Sequence, residues 1–531
     1  MDRVAVRDEK RLFPVYGMAE AVQMPMFAEN RVHQRSSGDP YPNKVVMGVD
    51  RSRKEMKALR VITLENKYLR LELLPELGGR IYSAFDKRTG YDFFYKQHVI
   101  KPALIGMLGS WISGGCEFNW PCHHRPGTYM PVDVSVEEAE DGSVTVWMSD
   151  NEPLDRMKGM VGIALKPGEA RFDTRMRVYN RTPRRHSFLW WENAAVPVNE
   201  DYRLVFPPDV EYVQFHYRKN VTTYPVASGV YNGIRMGGGT DLSYHKNTRR
   251  PTSYFCGETK YDFFGGYDEG RRCGVIHAAD RSVSVGKKMF TWAYSQLSQS
   301  WEKAVTDTDG PYAELMASSY SLNQPDFAWL MPYEGKSFSQ MWYPVGDIGL
   351  PLCACAEAAV SVNGGEMRLQ AAVPCAGTVA VNGKEHAITA GPDKIETIPL
   401  HGEADEIILK DTDGRCLLRY EKPRKRPAGL PDPLPDNPSL DQMRTAQEAT
   451  LMAVHVEQYR DPAARPDRYL KKALELDPEY VPALTLLAAR ELDCLRPEKA
   501  LALAEKAWQK ATRRNYHPES GEIEYLMGRI L

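Results

Sequence analysis

Tyr68-Leu69-Arg70-Leu71-Glu72-Leu73-Leu74-Pro75-Glu76-Leu77-Gly78-Gly79-Arg80-Ile81 decides the class of fold. Leu69, Leu71 and Leu73 alternate with Arg70 and Glu72, the period of two that marks a half-buried strand. Pro75 and the Gly78-Gly79 pair then break the run, and Arg80-Ile81 begins another strand after a tight turn. Val61 to Asn66 forms a strand-like run upstream. Asp86-Lys87-Arg88-Thr89-Gly90 makes a further turn before Tyr91 to Tyr95. The same rhythm continues from about 130 to 350, through Ser143 to Ser149, Ala170 to Asn180, His186 to Trp191 and Gly274 to Ala278. Asp141-Gly142 and Pro167-Gly168 supply turns between them. No amphipathic helix of three turns is read there, so the expectation is a mainly β chain built on a large antiparallel sandwich.

Residues 1–55 read as an irregular arm, with the turn-rich Ser36 to Lys44 and short apolar runs. The large sandwich is expected over 56–350. Residues 351–422 carry shorter strands around Asn363-Gly364-Gly365, Val381-Asn382-Gly383 and Asp413-Gly414, enough for a small β-sandwich. Residues 423–438 are Pro-rich and predict a stiff, extended linker. Beyond 439 the strand signal gives way to helical runs, Tyr469 to Leu476 before Asp477-Pro478, and Ala500 to Trp508. Ala473 and Ala507 stand 34 residues apart, the tetratricopeptide (TPR) period. Residues 439–531 thus resemble about two TPR units. Thr512 stands where the repeat usually has proline, and the chain is expected to end within a repeat helix, at Tyr525 to Leu531. Such a segment implies a protein partner or self-association.

The chain has 531 residues, 43% hydrophobic and 26% charged, with a formal net charge of −2. That balance leaves no electrostatic footprint for nucleic acid. The basic run Lys422 to Pro427 adjoins the Pro-rich linker and reads as solvated. The charged N-terminus has no apolar core and no run is long enough to span a bilayer, so a cytoplasmic protein without membrane contact is expected. Nine irregularly spaced cysteines read as free thiols, with a Cys116–Cys122 bridge left open.

Gly114 to Asp133, GGCEFNWPCHHRPGTYMPVD, carries the densest chemistry. It gathers Glu117, Asn119, Trp120, His123, His124 and Arg125 in a loop punctuated by glycine and proline. Titratable and stacking groups together suit a polar ligand that needs proton transfer. Adjacent histidines rarely ligate one ion without a well-spaced third ligand, so no metal is expected at Glu117, His123 and His124. Gly286-Lys287-Lys288 lacks a Gly-rich approach, which argues against a nucleotide site, and no cofactor is expected.

Leu74 to Ile81 resembles the opening of the aldose 1-epimerase (galactose mutarotase) superfamily, in which a strand turns through Gly-Gly-Arg. Gly310 to Met316 followed by Asn323-Gln324-Pro325-Asp326-Phe327 resembles the segment where that superfamily places a catalytic glutamate on a strand. Residues 60–345 carry the likeness. With the helical tail, the chain is similar to an uncharacterised mutarotase-like domain fused to TPR repeats. The resemblance implies a supersandwich fold and a carbohydrate ligand, oligosaccharide or glycoside. It puts Glu314 at the place of the base and His123 or His124 at the first histidine. No histidine follows the Tyr179-Asn180-Arg181-Thr182 strand; Leu189 to Asn193 stands there instead, so a glutamate is expected to replace the missing acid.

A carboxylate on an apolar strand is costly unless it has a task, which favours Glu314. Glu117 or Glu192 would supply the second carboxylate of a glycoside hydrolase. Arg80, Asn119, Trp120, Arg125, Trp191, Asn193, Trp292, Trp301, Glu334 and Trp342 are the candidates for holding sugar, the indoles by stacking and the polar groups by hydrogen bonding. The rival readings are a sugar epimerase and a non-catalytic carbohydrate sensor whose TPR segment recruits a partner.

Overall fold

A computed structural model describes residues 3–18, 22–23, 44–45, 49–103, 111–121, 124, 128–152, 156–324, 326–424, 429–459, 465–518 and 520–531. Two large antiparallel sheets face each other. The first runs, edge to edge, through Ala5–Met18, Val49–Glu65, Leu69–Leu74, Arg80–Asp86, Cys116–Asn119, Trp190–Pro197, Tyr312–Ser319, Lys287–Thr291, Thr252–Cys256, Tyr212–Gln214 and Val221–Thr223. The second runs through Tyr202–Val205, Phe263–Asp268, Cys273–Ala278, Gly335–Val345, Phe172–Tyr179, Lys158–Leu165, Val144–Asn151 and Asp133–Glu138. Alternate residues of both fill the gap: Leu69, Leu71, Leu73, Phe118 and Trp190 from one, Phe172, Met176, Phe264 and Trp342 from the other. The turn read at Gly78-Gly79 forms with both glycines left-handed, at φ of 72° and 70°, a region open to glycine at no steric cost.

The small sandwich follows as two four-stranded sheets, Cys353–Ala354, Ala358–Asn363, Glu366–Ala371 and Ile395–Pro399 against Lys384–Ala390, Cys375–Val381, Glu406–Asp411 and Cys416–Glu421. Its core is continuous with Phe263, Ile276 and Tyr343 on the outer face of the second large sheet. The C-terminal part is helical: α2 (Ala446–Gln458), α3 (Pro466–Leu476), α4 (Val481–Asp493), α5 (Pro497–Thr512) and α6 (Glu522–Ile530), after α1 (Gln296–Val305) within the sandwich. Ala449, Ala453, Ala473 and Ala483 are buried between α2, α3 and α4, and Ala488, Ala504 and Ala507 between α4, α5 and α6. Small side chains let these helices approach closely. The mainly β architecture with a helical end matches the reading of the sequence.

Two local expectations fail. Residues 5–18, read as irregular arm, form a 14-residue edge strand paired along Val49–Glu65. Its charged run Arg7 to Arg11 hid the alternation; on an edge strand those charges face solvent and cross-strand partners, Arg7 to Glu65 and Arg60 to Asp8, each at 2.7 Å. Residues 296–305, read as part of an uninterrupted strand series, form α1. Its N-cap is Ser295, whose side chain accepts from Ser298 N at 3.3 Å. The apolar runs Met24 to Phe27 and Val46 to Gly48 fall outside the described residues.

Candidate active site

Register places the chemistry. Residues directly opposite each other across a sheet share a face, as do alternate residues along a strand. Glu117 lies opposite Asn193, Asn193 opposite Met316, and Met316 opposite Lys288. Glu314 lies opposite Ala195 on one side and Phe290 on the other. Glu117, Asn119, Trp191, Asn193, Glu314 and Lys288 therefore share the face of the first sheet that points away from the second sheet. Both glutamates are 4% exposed.

Glu117 is the best anchored. Trp111 Nε1 donates to its Oε2 at 3.1 Å, and His124 Nδ1 lies 3.0 Å from the same oxygen. The Trp111 and His124 rings sit 4.7 Å apart. Burial opposes ionisation of Glu117, but the charge and hydrogen bond of His124, with Arg80 and Trp111, win and hold its carboxyl down to about 2. Burial likewise opposes protonation of His124, and Glu117 overcomes it, with a smaller contribution from Glu314, so the imidazole titrates above its ordinary value. These two groups form an ion pair.

Glu314 and Lys288 behave in the opposite way. Burial pushes the Glu314 carboxyl up, only partly restrained by the charges of His124 and Lys288, and the Lys288 ammonium down, only partly restrained by that of Glu314. Lys288 Nζ donates to Gln324 Oε1 at 2.5 Å and lies 3.5 Å from His216 Nε2. Burial and that ammonium drive His216 well below the usual imidazole range. The cluster of Glu117, His124, Glu314 and Lys288 stays electrically neutral whether the last two are both charged or both uncharged. A proton can move within it without leaving a net charge in a buried place.

Four buried polar atoms on this face have no partner among the described residues: Glu117 Oε1, Asn193 Oδ1, Trp191 Nε1 and Gln324 Nε2. Two are acceptors and two are donors. Buried polar groups are normally satisfied, and hydroxyls, which donate and accept, fit such a mixed set.

The other sequence candidates are placed elsewhere. Glu192 alternates with Asn193 and so points between the two sheets, where Thr174 Oγ1 donates to it at 2.5 Å and Trp342 Nε1 at 2.7 Å. Of the two carboxylates expected to partner Glu314, Glu192 lies on the opposite face of the sheet from it, and Trp342 serves Glu192 in the interior rather than a ligand. Trp120 also points inward, packed so tightly on Gly159 that a Cβ there would lie 2.2 Å from its ring. Arg80 is buried and donates to the carbonyls of Ser113 and Gly114 and to Thr128 Oγ1, so it secures the loop that carries Glu117. Glu334 closes a turn, accepting from Met331 N and Lys336 Nζ. Trp292 donates to the Tyr312 hydroxyl at 2.9 Å, and Trp301, on α1 and half exposed, stacks on it at 5.6 Å. Asn119 is buried beside Trp191, its register partner. His123 and Arg125 lie outside the described residues, as does Cys122; Cys116 is a buried free thiol.

Sequence reasoning missed Lys288, His216 and Gln324 as members of the cluster. Lys288 was legible as a cation alternating with Phe290 on a strand, and His216 as an ionisable group between aromatic neighbours. Gln324 stood in the quoted Asn323 to Phe327 run without a role.

Residues 38–345, which contain every member of the cluster, match the profile of a family described as a domain of unknown function, DUF5107. The chain belongs to this family. A TPR-domain containing protein from Parabacteroides distasonis is similar to this DUF5107 chain over 99% of the chain and 76% of its own length, at 18% identity and a TM-score of 0.58; this is a likeness of fold. Galactose mutarotase-like proteins from Lactobacillus casei and Clostridium acetobutylicum align with 54% of the chain and with 100% and 96% of their own, at 12% and 9% identity. Their TM-scores are 0.37 and 0.36, too low to speak to chemistry.

Proposed function

We propose that this face of the DUF5107 domain binds a carbohydrate and carries acid–base chemistry at an anomeric carbon, with hydrolysis of a glycosidic bond as the reaction it fits best. The observation that supports this is a pair of buried carboxylates on one sheet face driven apart in proton affinity, Glu117 down to about 2 and Glu314 upward. Two carboxyls whose surroundings separate them in this way divide the labour of a glycosidase. Glu314, its carboxyl pushed upward by burial, donates its proton to the departing glycosidic oxygen. Glu117, ionised and with Oε1 open, acts on the other side as base or nucleophile. Asn193, Trp191 and Gln324 offer the hydroxyls their hydrogen-bonding partners.

The test is release of reducing sugar from a panel of oligosaccharides by the full chain and by Glu314→Gln. The variant should fold as the parent does and turn over about a hundredfold more slowly or worse, the usual scale for a lost general acid. Equal turnover would remove Glu314 from the mechanism. A second reading, anomer exchange, is favoured by the protonated His124 beside the field of Glu314. His124 would give a proton to the ring oxygen while a deprotonated Glu314 takes one from the anomeric hydroxyl. Polarimetry on free hexoses separates it from hydrolysis.

A further inference from the structure

A cavity of about 500 Å³ opens away from the cluster, between the Val230–Tyr231/Ile234–Arg235 hairpin, Gly237 to Thr240 and the segment Lys246 to Thr252. The hairpin turns through Asn232-Gly233, both left-handed at φ of 48° and 74°, the geometry that tight two-residue hairpins require. Asn232 Nδ2 pins this turn to Pro251 O and Thr252 Oγ1, each at 3.1 Å. The cavity wall is therefore held in place.

Its charge is one-sided. Arg235, Lys246, Arg249 and Arg250 line it, and no carboxylate does. None of these four cations makes an ion pair among the described residues. The nearby Asp241 is engaged elsewhere, 3.6 Å from Arg203 and bonded to Ser243. The chain as a whole has a net charge of −2, so four unopposed cations around one cavity do not follow from bulk composition. Like charges gathered around one cavity favour an anion among them. Gly237, Gly238 and Gly239 add backbone N–H groups that donate to no protein acceptor among the described residues. Tyr231 and Tyr254, stacked on each other at 5.6 Å and buried in the core, back the cavity wall and hold it rigid.

We propose that this cavity binds a small molecule carrying a tetrahedral oxyanion, a phosphate or sulfate ester. Guanidinium forks and open amides match the oxyanion. The volume lies within the range of about 300–1,000 Å³ typical of small-molecule sites. The proposal is independent of the reaction assigned to Glu314.

Isothermal titration calorimetry on the full chain tests it, with glucose 6-phosphate, glucose 6-sulfate, inorganic phosphate and glucose as probes. Saturable binding of either ester is expected, weakened tenfold or more on raising sodium chloride from about 0.05 M to about 0.5 M. Arg249→Ala/Arg250→Ala should lose at least tenfold in affinity while keeping the parental melting temperature. Lys246→Ala, on another part of the wall, should weaken binding in the same direction should the double variant fail to fold. The ratio between the two esters and inorganic phosphate tells which oxyanion the site prefers. Glu314→Gln should bind these probes as the parent does. Absence of saturable heat from every oxyanion, binding of glucose as tight as that of its esters, or affinity unmoved by the substitutions would each overturn the proposal.

Discussion

Glu192 makes a sharp test, because the structure moves it from a catalytic candidate to an interior group. It is fully buried and titrates at about 7, since burial outweighs the hydrogen bonds from Thr174 and Trp342. The unfolded chain ionises the same carboxyl near its ordinary value of 4.5. Below that value both states hold the proton. Between 4.5 and 7 the unfolded chain releases it while the folded protein keeps it, so stability falls as pH rises. Above 7 both states are ionised and the loss is complete, at about 3 kcal/mol. Glu192→Gln removes the titration and keeps an oxygen to accept from Trp342. Urea unfolding of the parent and variant at about pH 5 and about pH 8 measures the difference. The two should be close in stability at the lower pH, and the variant should be more stable by about 3 kcal/mol at the higher one. Parallel pH profiles would refute the account of a desolvated interior carboxyl. Turnover of the variant should also stay near the parental level, which a catalytic Glu192 would not permit.

Hydrolysis, if Glu314 is the donor, should decline on the alkaline side as that raised carboxyl loses its proton. The acid side should stay active well below pH 4, because Glu117 remains ionised down to about 2; a pH–rate profile checks both limbs. Glu117→Gln should let the His124 imidazole titrate lower than in the parent, read by NMR, and should cut turnover about a hundredfold. Gly159→Ala would press a methyl group into the Trp120 ring, 2.2 Å away, and should cost roughly 1–3 kcal/mol of stability in denaturant unfolding. Limited proteolysis should cut first between Arg424 and Ser439, where the exposed Pro-rich stretch runs; early cuts scattered within 60–345 would count against the domain division.

Much of the fold was legible where alternation and turn chemistry agree, as at Leu69 to Leu74 and Gly78-Gly79. It was illegible where solvent rather than a core dictates side chains, as on the charged edge strand Ala5–Met18. At the candidate site, Glu117, Glu314 and Asn193 could be picked out one by one as polar groups among apolar ones. Parity along a strand separates Glu192 from Asn193. Only the register between strands tells which of the two faces Glu117, and register arises from contacts far apart in sequence. Arg80 shows the same limit: a guanidinium after two glycines reads as a clamp for ligand, and only the folded loop supplies the carbonyls it holds. Lys288 was set aside with a phosphate loop rejected for want of a Gly-rich approach, and its partners, Gln324 and Glu314, lie on other segments where sequence could not join them to it.

The loops that bring His216 and Gln324 to Lys288 also meet the helical part of the chain. Leu434 N donates to Arg218 O at 3.0 Å, and Gln458 Nε2, at the end of α2, donates to Phe327 O at 2.7 Å. Tyr217 and Arg218, left-handed at φ of 60° and 53°, sit between these two attachments, with Tyr217 N donating to Asn323 Oδ1 at 3.0 Å. The helical segment is thus part of the masonry behind one side of the cluster. A shortened protein ending at the small sandwich would keep every residue of the cluster yet lose the outer support of two of them. Grafting a different helical array after residue 438 would demand that its first helix reproduce the contact made by Gln458.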